Sequence, residues 1–310
     1  MDPENTIYIL GAGAIGFPLA VFLTQAGRAV VAVRTSRHDI PPGTSTVTVR
    51  DGAHRISTPV ATISLAQLRH LDGTIVIASK AYANDALAQA LKDKGATGPL
   101  VILQNGVGVE QPFLAAHFSS IYRGVLYVTS QATAADDFTF RAVTASPIGT
   151  INGSASGLEQ CVAALTTDGF PFRAEANIHR EIWKKAIINA VFNSICPLLE
   201  VDNGVFARDE ATAQLAKEVV RECVTLTDRL NLGLSEQECM EHIMRISQGS
   251  DGQWISTLQD MHHGRPTEIA FLNLAIARIA AALQPGLHLP RIEFLGNMIV
   301  AKALQSRRTA

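Results

Sequence analysis

The sequence predicts a mixed α/β protein, in which a parallel β-sheet domain at residues 1–175 is followed by an all-α domain at residues 176–310. In the first half, short apolar runs rich in β-branched residues alternate with helical stretches, as in a parallel sheet covered by helices on both faces. After about Ala174 long helical patterns dominate, and Gly or Pro falls near the breaks between them. A ligand cleft is expected where two such domains meet.

Apolar runs predict the strands of the first domain, and a helix from Ile15 to Ala26 follows the first strand. Alternation around Asp51-Gly52 predicts a hairpin over residues 45–57, inserted between the βα units. The predicted strands are Thr6–Leu10, Ala29–Val33, Thr74–Ala78, Leu100–Leu103, Val125–Thr129 and Ile148–Ile151. The predicted helices of the second domain are Ile178–Glu200, Arg208–Leu230, Glu236–Ser247, Pro266–Leu283 and Arg291–Leu304.

The composition limits the function classes that remain open. Of the 310 residues 47% are hydrophobic and 17% are charged, which supplies a core and argues against intrinsic disorder. A net charge of −2 without basic runs argues against a nucleic-acid partner. No apolar run reaches the roughly 18 residues of a membrane span. The acidic start Met1–Asn5 lacks the cationic residues of a signal peptide, so a cytoplasmic protein is expected.

No metal site or disulfide framework is predicted. The cysteines at positions 161, 196, 223 and 239 are scattered and form no CxxC pair, so reduced and mostly buried thiols are expected. The adjacent residues His262 and His263 do not change this prediction, because neighbouring side chains do not share a helix face and no further ligand set stands nearby.

A glycine-rich turn follows the first predicted strand and opens the first predicted helix. It reads Gly11-Ala12-Gly13-Ala14-Ile15-Gly16 and fits the pattern G-x-G-x-x-G. In this context the pattern indicates a dinucleotide-binding turn, with the pyrophosphate at the helix N-terminus. The alternative is a purely structural strand–helix turn.

The end of the second strand predicts the choice of cofactor. NAD-binding folds usually place an acid there, but this chain has Arg34-Thr35-Ser36-Arg37 and no acid before Asp39. An arginine can pair with a 2′-phosphate, so we predict NADPH (NADP+), with Arg34 as the main determinant and Arg37 as a candidate helper. Otherwise both are solvated loop cations. The first domain is thus predicted to be a Rossmann-type NADP-binding domain.

Lys80 and Asn105 directly follow two further predicted strands, at the sheet edge where ligands bind in open α/β folds. Lys80 could instead be an exposed residue near a helix start, and Asn105 part of a simple Asn-Gly turn.

A polar stripe crosses an otherwise apolar helix in the second domain. Lys185, Asn189 and Asn193 recur at i, i+4 and i+8, whereas the other positions are mostly Ala, Ile, Val and Phe. A lysine on a buried helix needs a partner or a cleft, and one cation with two amides could bind an anionic substrate and protonate its oxygen. The alternative is a solvated edge of a core helix.

Pro266 could open a later helix and place Glu268 in its first turn, where it could simply complement the helix dipole.

These residues together resemble the ketopantoate reductase (2-dehydropantoate 2-reductase) family over nearly the whole chain. The resemblance includes the glycine turn, the arginine after strand two, the lysine after strand four and Gln104-Asn105-Gly106. It continues with Trp183-x-Lys185-x3-Asn189-x3-Asn193, Asn203-Gly204, and the segment from Ser256-x2-Gln259-Asp260 to Thr267-Glu268-Ile269.

The resemblance implies NADPH-dependent reduction of 2-dehydropantoate to D-pantoate in pantothenate biosynthesis. It implies that Lys185 donates the proton and that Glu268 is a second catalytic residue that also meets the cofactor. The implied substrate contacts are Asn105, Asn189, Asn193, Asn203 and Ser256. The implied cofactor contacts are the Gly11–Gly16 turn, Arg34, Lys80, Asn105, Ser130 and Glu268.

Two departures put the identity of the substrate in question. The family commonly reads Thr-Glu-Ile-Asp with Asn-Gly shortly after, whereas this chain has Ala270 after Glu268-Ile269 and Leu274 after Asn273. A reductase for a different 2-oxo acid is therefore an alternative, and a non-catalytic NADP-binding sensor is an alternative from another class.

The partner expected is a small 2-oxo acid, with no nucleic acid and no membrane. The apolar helical half is compatible with a homodimer, although amphipathic helices also form the core of a monomer.

Overall fold

The structure, a computed structural model, describes residues 5–36 and 41–309. The chain packs as two compact units. The first contains Met1–Gln104 and Val109–Ile178, and the second contains Asn105–Gly108 and His179–Ala310. The short segment Asn105–Gly108 is thus counted with the second unit, although first-unit residues flank it on both sides.

The first unit is built on one mixed sheet with four helices. Its strands are β1 Ile7–Leu10, β2 Val30–Arg34, β3 Gly43–Asp51, β4 His54–Ser64, β5 Thr74–Ile77, β6 Leu100–Ile102, β7 Ile121–Gly124, β8 Val128–Ala134, β9 Asp137–Ala142, β10 Ser146–Asn152 and β11 Phe172–Ala174. Its helices are α1 Gly16–Gln25, α2 Asn84–Asp93, α3 Gln111–Ala115 and α4 Ala155–Leu165. Strands neighbour each other in the order β11-β10-β7-β6-β5-β1-β2-β4-β3-β9-β8.

Six neighbouring strands, β4-β2-β1-β5-β6-β7, run parallel and form the centre of this sheet. β1 pairs with β2 on one side and with β5 on the other, so the strand order reverses between β1 and β5. In open parallel sheets, the crevice at such a reversal is where ligands bind. The turns that follow β1 and β5 therefore bound the expected site in this unit.

The mixed α/β class and five of the predicted strands are confirmed. β1, β2, β5 and β6 lie within the predicted ranges give or take one residue, and β10 contains the strand predicted at Ile148–Ile151. The predicted hairpin is confirmed as β3–β4, with Asp51 paired to His54 across the turn. The strand predicted at 125–129 is wrong in position, because β8 begins at Val128. The short strands β7, β9 and β11 were not predicted.

The missed strand β7 contains a charged side chain inside the core. Arg123 is only 2% exposed, and its guanidinium donates to the Glu110 carboxylate at 3.0 Å and to the Gln104 carbonyl at 3.2 Å. Burial lowers the pKa of Arg123, and the charge of Glu110 opposes that shift. A buried arginine is tolerated when its charge is paired. A sequence pattern of apolar runs does not reveal such a pair.

The second unit is helical. Its helices are α5 Ile178–Leu199, α6 Val205–Arg208, α7 Glu210–Arg229, α8 Glu236–Gly249, α9 Ser256–His262, α10 Asn273–Ala281 and α11 Pro290–Thr309, with a 3-10 turn at Ile269–Phe271.

The helix predicted at Arg208–Leu230 is confirmed as α7, and the Asp209 side chain caps its start by accepting from the Thr212 amide at 2.7 Å. One prediction about these helices needs correction. The helix predicted from Pro266 begins only at Asn273, after the 3-10 turn, so Glu268 precedes that turn rather than occupying a first helical turn.

Within the described parts of the chain, no helix combines the length and apolarity needed to cross a bilayer. The same residues contain no group of three His, Cys, Asp or Glu side chains placed to hold a metal ion. All four cysteines are buried and without a disulfide, as predicted. Burial raises the pKa of the Cys161 and Cys196 thiols to about 12.

The pair Arg123–Glu110 gives the first testable prediction. Glu110→Ala leaves a guanidinium buried without its counter-charge, so we expect a loss of about 3–5 kcal/mol in the free energy of unfolding. Urea denaturation measures this loss. Glu159→Ala, at an exposed position on α4, is the matched control and should change stability by less than about 0.5 kcal/mol. Equal small effects of both substitutions would show that the pair does not hold this part of the sheet.

Candidate functional site

The glycine turn after β1 has the geometry that close approach of a ligand requires. Gly11 has a φ of +116°, and a Cβ there would lie 2.4 Å from the Ser79 backbone nitrogen. A Cβ on Gly16 would lie 1.9 Å from the Gly11 carbonyl oxygen, so this glycine allows α1 to start against β1. A Cβ on Gly13 would meet nothing within 4 Å. The turn is therefore closely packed on its protein side and open at Gly13, which fits a pyrophosphate at the N-terminus of α1.

Ser79 faces this turn from the end of β5, and sequence analysis did not single it out. Its hydroxyl is buried and has no hydrogen-bond partner within the described residues. The Gln104 side chain donates to the Ser79 carbonyl at 2.8 Å and exchanges hydrogen bonds with Asn84, which fixes the end of β5. A buried hydroxyl without a partner is costly, so this atom fits a ligand or a water at the strand reversal. Lys80, the next residue, is partly buried.

Arg34 is the last residue of β2, one residue beyond the predicted end of that strand, and two groups hold its guanidinium. The guanidinium carbon lies 5.3 Å from the centre of the Phe17 ring, and a terminal nitrogen lies 3.7 Å from the Asp136 carboxylate. The sequence pattern did not reveal Asp136, because it lies about 100 residues further along the chain, between β8 and β9. Arg37, the predicted helper, lies outside the described residues.

Ser130, one of the predicted cofactor contacts, lies on β8 and touches the glycine turn directly. Its hydroxyl donates to the carbonyl of Ala14 and lies 3.3 Å from the carbonyl of Thr139. Ser130 therefore supports the backbone of the turn, whether or not it also contacts a ligand.

In the second unit, α5 is buried along almost its whole circumference. Every residue from 182 to 197 is buried except Lys185 and Asn189, which are partly exposed. These two positions are one helical turn apart, so the helix has a single narrow accessible edge. Asn193, the third residue of the predicted stripe, is only 4% exposed and lies at the closed end of this edge.

The neighbouring lysine has a different environment. Lys184 is 8% exposed, and its ammonium donates to Glu181 at 2.9 Å and lies 3.7 Å from Glu238 on α8. Lys184 is therefore committed to an ion-pair network between two helices, whereas Lys185 lies about 100° further round α5 on the accessible edge.

Asn193 connects α5 to α9. Its amide nitrogen donates to the Asn189 carbonyl at 2.9 Å, and its amide oxygen accepts from Thr257 at 2.8 Å and Ser256 at 3.3 Å. These bonds hold the start of α9, including the exposed residue Ser256, beside the accessible edge of α5. Asn193 and Ser256, both predicted to contact the substrate, are thus brought together, and Thr257 is an additional polar neighbour that the sequence analysis missed.

Asn203 lies in the segment between α5 and α6. Its backbone is fixed by bonds to Gln253 at 2.8 Å and to the Ser247 hydroxyl at 2.7 Å. Its side-chain oxygen is buried and has no hydrogen-bond partner in the part of the chain that the structure describes. A buried acceptor of this kind fits a ligand hydroxyl or a water.

The segment that follows Asn105 makes a tight contact with the segment that follows Glu268, inside the second unit. The amide of Val107 donates to the Phe271 carbonyl at 3.0 Å, and Gly106 has a φ of +103°. A Cβ on Gly106 would lie 2.4 Å from the Phe271 carbonyl oxygen, so only glycine allows this approach. Glu268 directly precedes the 3-10 turn Ile269–Phe271, and its carbonyl accepts from the Phe271 amide at 2.9 Å.

The two histidines singled out in the sequence each contact a residue of their own segment. The imidazole of His263 lies 2.6 Å from the Gln259 carbonyl, and the ring of His262 packs edge-on against Trp254 at 4.9 Å.

Comparison with known proteins places these residues in one family. Residues 7–153 match the family described as "Ketopantoate reductase PanE/ApbA", and residues 177–303 match "Ketopantoate reductase PanE/ApbA C terminal". The chain belongs to the ketopantoate reductase family. It is therefore an oxidoreductase, and the two matched regions contain all the candidate site residues described in this subsection.

Relatives of similar length carry the same family name. The 2-dehydropantoate 2-reductase of Archaeoglobus fulgidus is 27% identical over 88% of this chain and 90% of its own length. That of Pyrococcus abyssi is 26% identical over 97% of this chain and 99% of its own. Each match extends over nearly the entire relative.

Solved structures with less sequence similarity share the fold. A dimeric ketopantoate reductase from Staphylococcus aureus superposes with a TM-score of 0.79 at 22% identity, covering 97% of this chain and 99% of that one. A D-mandelate dehydrogenase in a ternary structure with NADH and anilino(oxo)acetate superposes with a TM-score of 0.84 at 20% identity, with the same coverage.

The two positions that depart from the family pattern lie near the 3-10 turn. The carbonyl of Ala270 accepts from the Arg278 guanidinium at 2.9 Å. Leu274 packs against Gly296 of α11, where a Cβ would lie 2.7 Å from the leucine methyl.

The contact at Gly106 gives a second testable prediction. Gly106→Ala adds both left-handed backbone strain and an overlap with the Phe271 carbonyl, whereas Gly95→Ala, at φ +63° with open space around it, adds strain alone. We expect Gly106→Ala to cost about 1–3 kcal/mol more in the free energy of unfolding than Gly95→Ala. Urea denaturation of both variants measures the difference, and equal costs would mean that the close approach is not maintained.

Proposed function

We propose that this ketopantoate reductase family member reduces 2-dehydropantoate to D-pantoate with NADPH. The observation that carries the proposal is the single accessible edge of α5, which offers Lys185 and Asn189 and no other side chain between residues 182 and 197. The curated relatives from Archaeoglobus and Pyrococcus, named 2-dehydropantoate 2-reductases, support the choice of substrate.

The first unit, residues 1–175, is proposed to bind the cofactor. The open side of the Gly11–Gly16 turn receives the pyrophosphate, and the Ser130 bond to Ala14 keeps that turn in shape. Arg34 recognises the 2′-phosphate, which only NADPH has. Lys80 and the orphaned hydroxyl of Ser79 lie at the strand reversal, where they can meet the remaining polar groups of the cofactor.

The second unit, residues 176–310 together with the Asn105 loop, is proposed to hold the substrate. When bound, NADPH would supply the hydride that adds to the keto carbon. Lys185 donates a proton to the oxygen on which negative charge develops, and its ammonium stabilises that charge before transfer. Glu268 is proposed as the carboxylate that orients this ammonium and also contacts the cofactor.

The remaining polar residues are proposed to fix the orientation of the substrate. Asn189, Asn203 and Ser256 are proposed to donate to or accept from its carboxylate and hydroxyl, and Asn105 to contact both substrate and cofactor. Asn193 is proposed mainly as a positioning residue, because its amide is already engaged by Thr257, Ser256 and the Asn189 carbonyl. Fixed orientation lowers the entropic part of the barrier.

A second candidate is reduction of a different 2-oxo acid with unchanged catalytic residues. Two observations favour it: Ala270 and Leu274 replace the acid and the glycine of the common pattern, and a D-mandelate dehydrogenase shares the fold with a TM-score of 0.84. Both residues are apolar, so this candidate predicts a less polar substrate side chain than that of 2-dehydropantoate.

A homodimer is also proposed, on the model of the dimeric Staphylococcus aureus relative.

The role of Lys185 gives a third testable prediction. Lys185→Ala should lower turnover on the order of 10²-fold or more, the usual size of a general-acid contribution, with little change in the affinity for NADPH. Steady-state kinetics and a separate binding titration measure the two effects. Lys217→Ala on α7, which removes a partly exposed lysine elsewhere in the same unit, is the matched control and should leave turnover unchanged. Turnover of Lys185→Ala within a few-fold of wild type would remove Lys185 from this role.

A substrate panel gives the fourth prediction and separates the two candidates. Oxidation of NADPH, followed by its absorbance, is compared for 2-dehydropantoate, for small aliphatic 2-oxo acids and for phenylglyoxylate. The main proposal expects the highest kcat/KM with 2-dehydropantoate. A preference of tenfold or more for phenylglyoxylate would instead establish the second candidate, and the absence of turnover with every 2-oxo acid would contradict both.

A further inference from the structure

The turn between β8 and β9 places two adjacent aspartates beside two different arginines. Asp137 binds the Arg50 guanidinium through two hydrogen bonds, at 3.0 and 2.6 Å. Asp136 lies 3.7 Å from Arg34. The carbonyl of Asp136 accepts from the Thr48 amide at 2.8 Å, so the backbone of the turn is fixed to β3 and holds both carboxylates in place.

The contact between Arg34 and Asp136 is loose enough to admit another anion. It is a single approach at 3.7 Å with 23% and 37% of the side chains exposed, unlike the two-bond pair of Arg50 and Asp137. Partly exposed ion pairs of this kind contribute little, about 0–1 kcal/mol, to stability. Arginine has five N–H donors. The Phe17 ring holds the Arg34 guanidinium from one side, and this contact uses none of the five donors in a salt bridge.

The charge at the end of β2 therefore comes from both the Arg34 guanidinium and the Asp136 carboxylate. The side chains of Arg34 and Asp136 together are formally neutral, so a 2′-phosphate that approaches the guanidinium is also repelled by a carboxylate. A ribose 2′-hydroxyl, in contrast, can donate a hydrogen bond to a carboxylate. NAD-binding folds provide that carboxylate at the end of the second strand, and here Asp136 provides one from a different part of the chain.

We propose that Asp136 is a second determinant of cofactor choice, which opposes Arg34 at the 2′ position and lets the enzyme accept NADH beside NADPH. The inference rests on the proposed placing of the cofactor at the Gly11–Gly16 turn and Arg34. It goes beyond the proposed function, because it assigns selectivity to a residue outside the strand end that usually sets it.

The test compares the binding of NADPH and NADH to the intact protein by isothermal titration calorimetry, without substrate. The ratio of the two dissociation constants cancels every contact that the cofactors share. Asp136→Asn keeps the side-chain shape and removes the charge, and we expect it to shift the ratio on the order of tenfold towards NADPH. The shift should shrink in high salt, since it arises between partly exposed charges.

Two variants complete the experiment. Asp137→Asn, one residue away and paired with Arg50, is the matched control and should leave the ratio within about twofold of wild type. Arg34→Ala should shift the ratio in the opposite direction, towards NADH. An Asp136→Asn ratio equal to that of wild type, or a shift towards NADH, would overturn the proposal, as would a wild-type protein that binds neither cofactor.

Failure of the proposed function is distinguishable from failure of this inference. If the protein turns over no 2-oxo acid, the proposed function fails, but the measured ratio of dissociation constants still tests the role of Asp136. If Asp136→Asn leaves that ratio unchanged, this inference fails, but the catalytic assignment of Lys185 is unaffected.

Discussion

The burial of α5 is the constraint on which the proposed catalytic site depends. A helix of 22 residues is enclosed so completely that only Lys185 and Asn189 retain access between residues 182 and 197. The rest of its surface over this range is buried and mostly apolar, and the buried Lys184 is paired with Glu181 and Glu238. This packing stabilises the unit and at the same time fixes the rotation of the helix about its axis. The same interactions that stabilise the unit therefore determine which amine reaches the accessible edge.

Hydrogen bonds also fix the positions of segments that are distant from α5 in sequence. Asn193 holds the start of α9 against α5, and the Asn273 amide donates to the Ala190 carbonyl of α5 at 3.3 Å. The Val107–Phe271 bond connects the Asn105 loop to the turn that carries Glu268. Several of these bonds are buried, so losing one partner leaves an unsatisfied polar group behind. A set of polar residues placed in this way suits a reaction whose rate depends on orientation.

The sequence predicted the elements whose signals are local. The apolar strands β1, β2, β5 and β6, the Asp51-Gly52 hairpin and the extent of α5 each follow from periodicity or turn chemistry within a short window. The strand β7 was missed because its buried Arg123 depends on Glu110, and the start of α10 was misplaced because a 3-10 turn intervenes after Pro266. At the site, the stripe of α5 was predictable from its spacing. Ser79 and Asp136 were not, because their importance arises only when distant strands come together.

The measurement that tests the account most directly is a crystal structure with NADP+ and an unreactive 2-oxo acid analogue bound together. The account predicts that the Lys185 ammonium lies about 3 Å from the keto oxygen of the analogue, within hydrogen-bonding distance. It also predicts that Asn189 contacts the same molecule from one turn further along α5. A structure in which another group donates to that oxygen, with Lys185 beyond hydrogen-bonding reach, would contradict it.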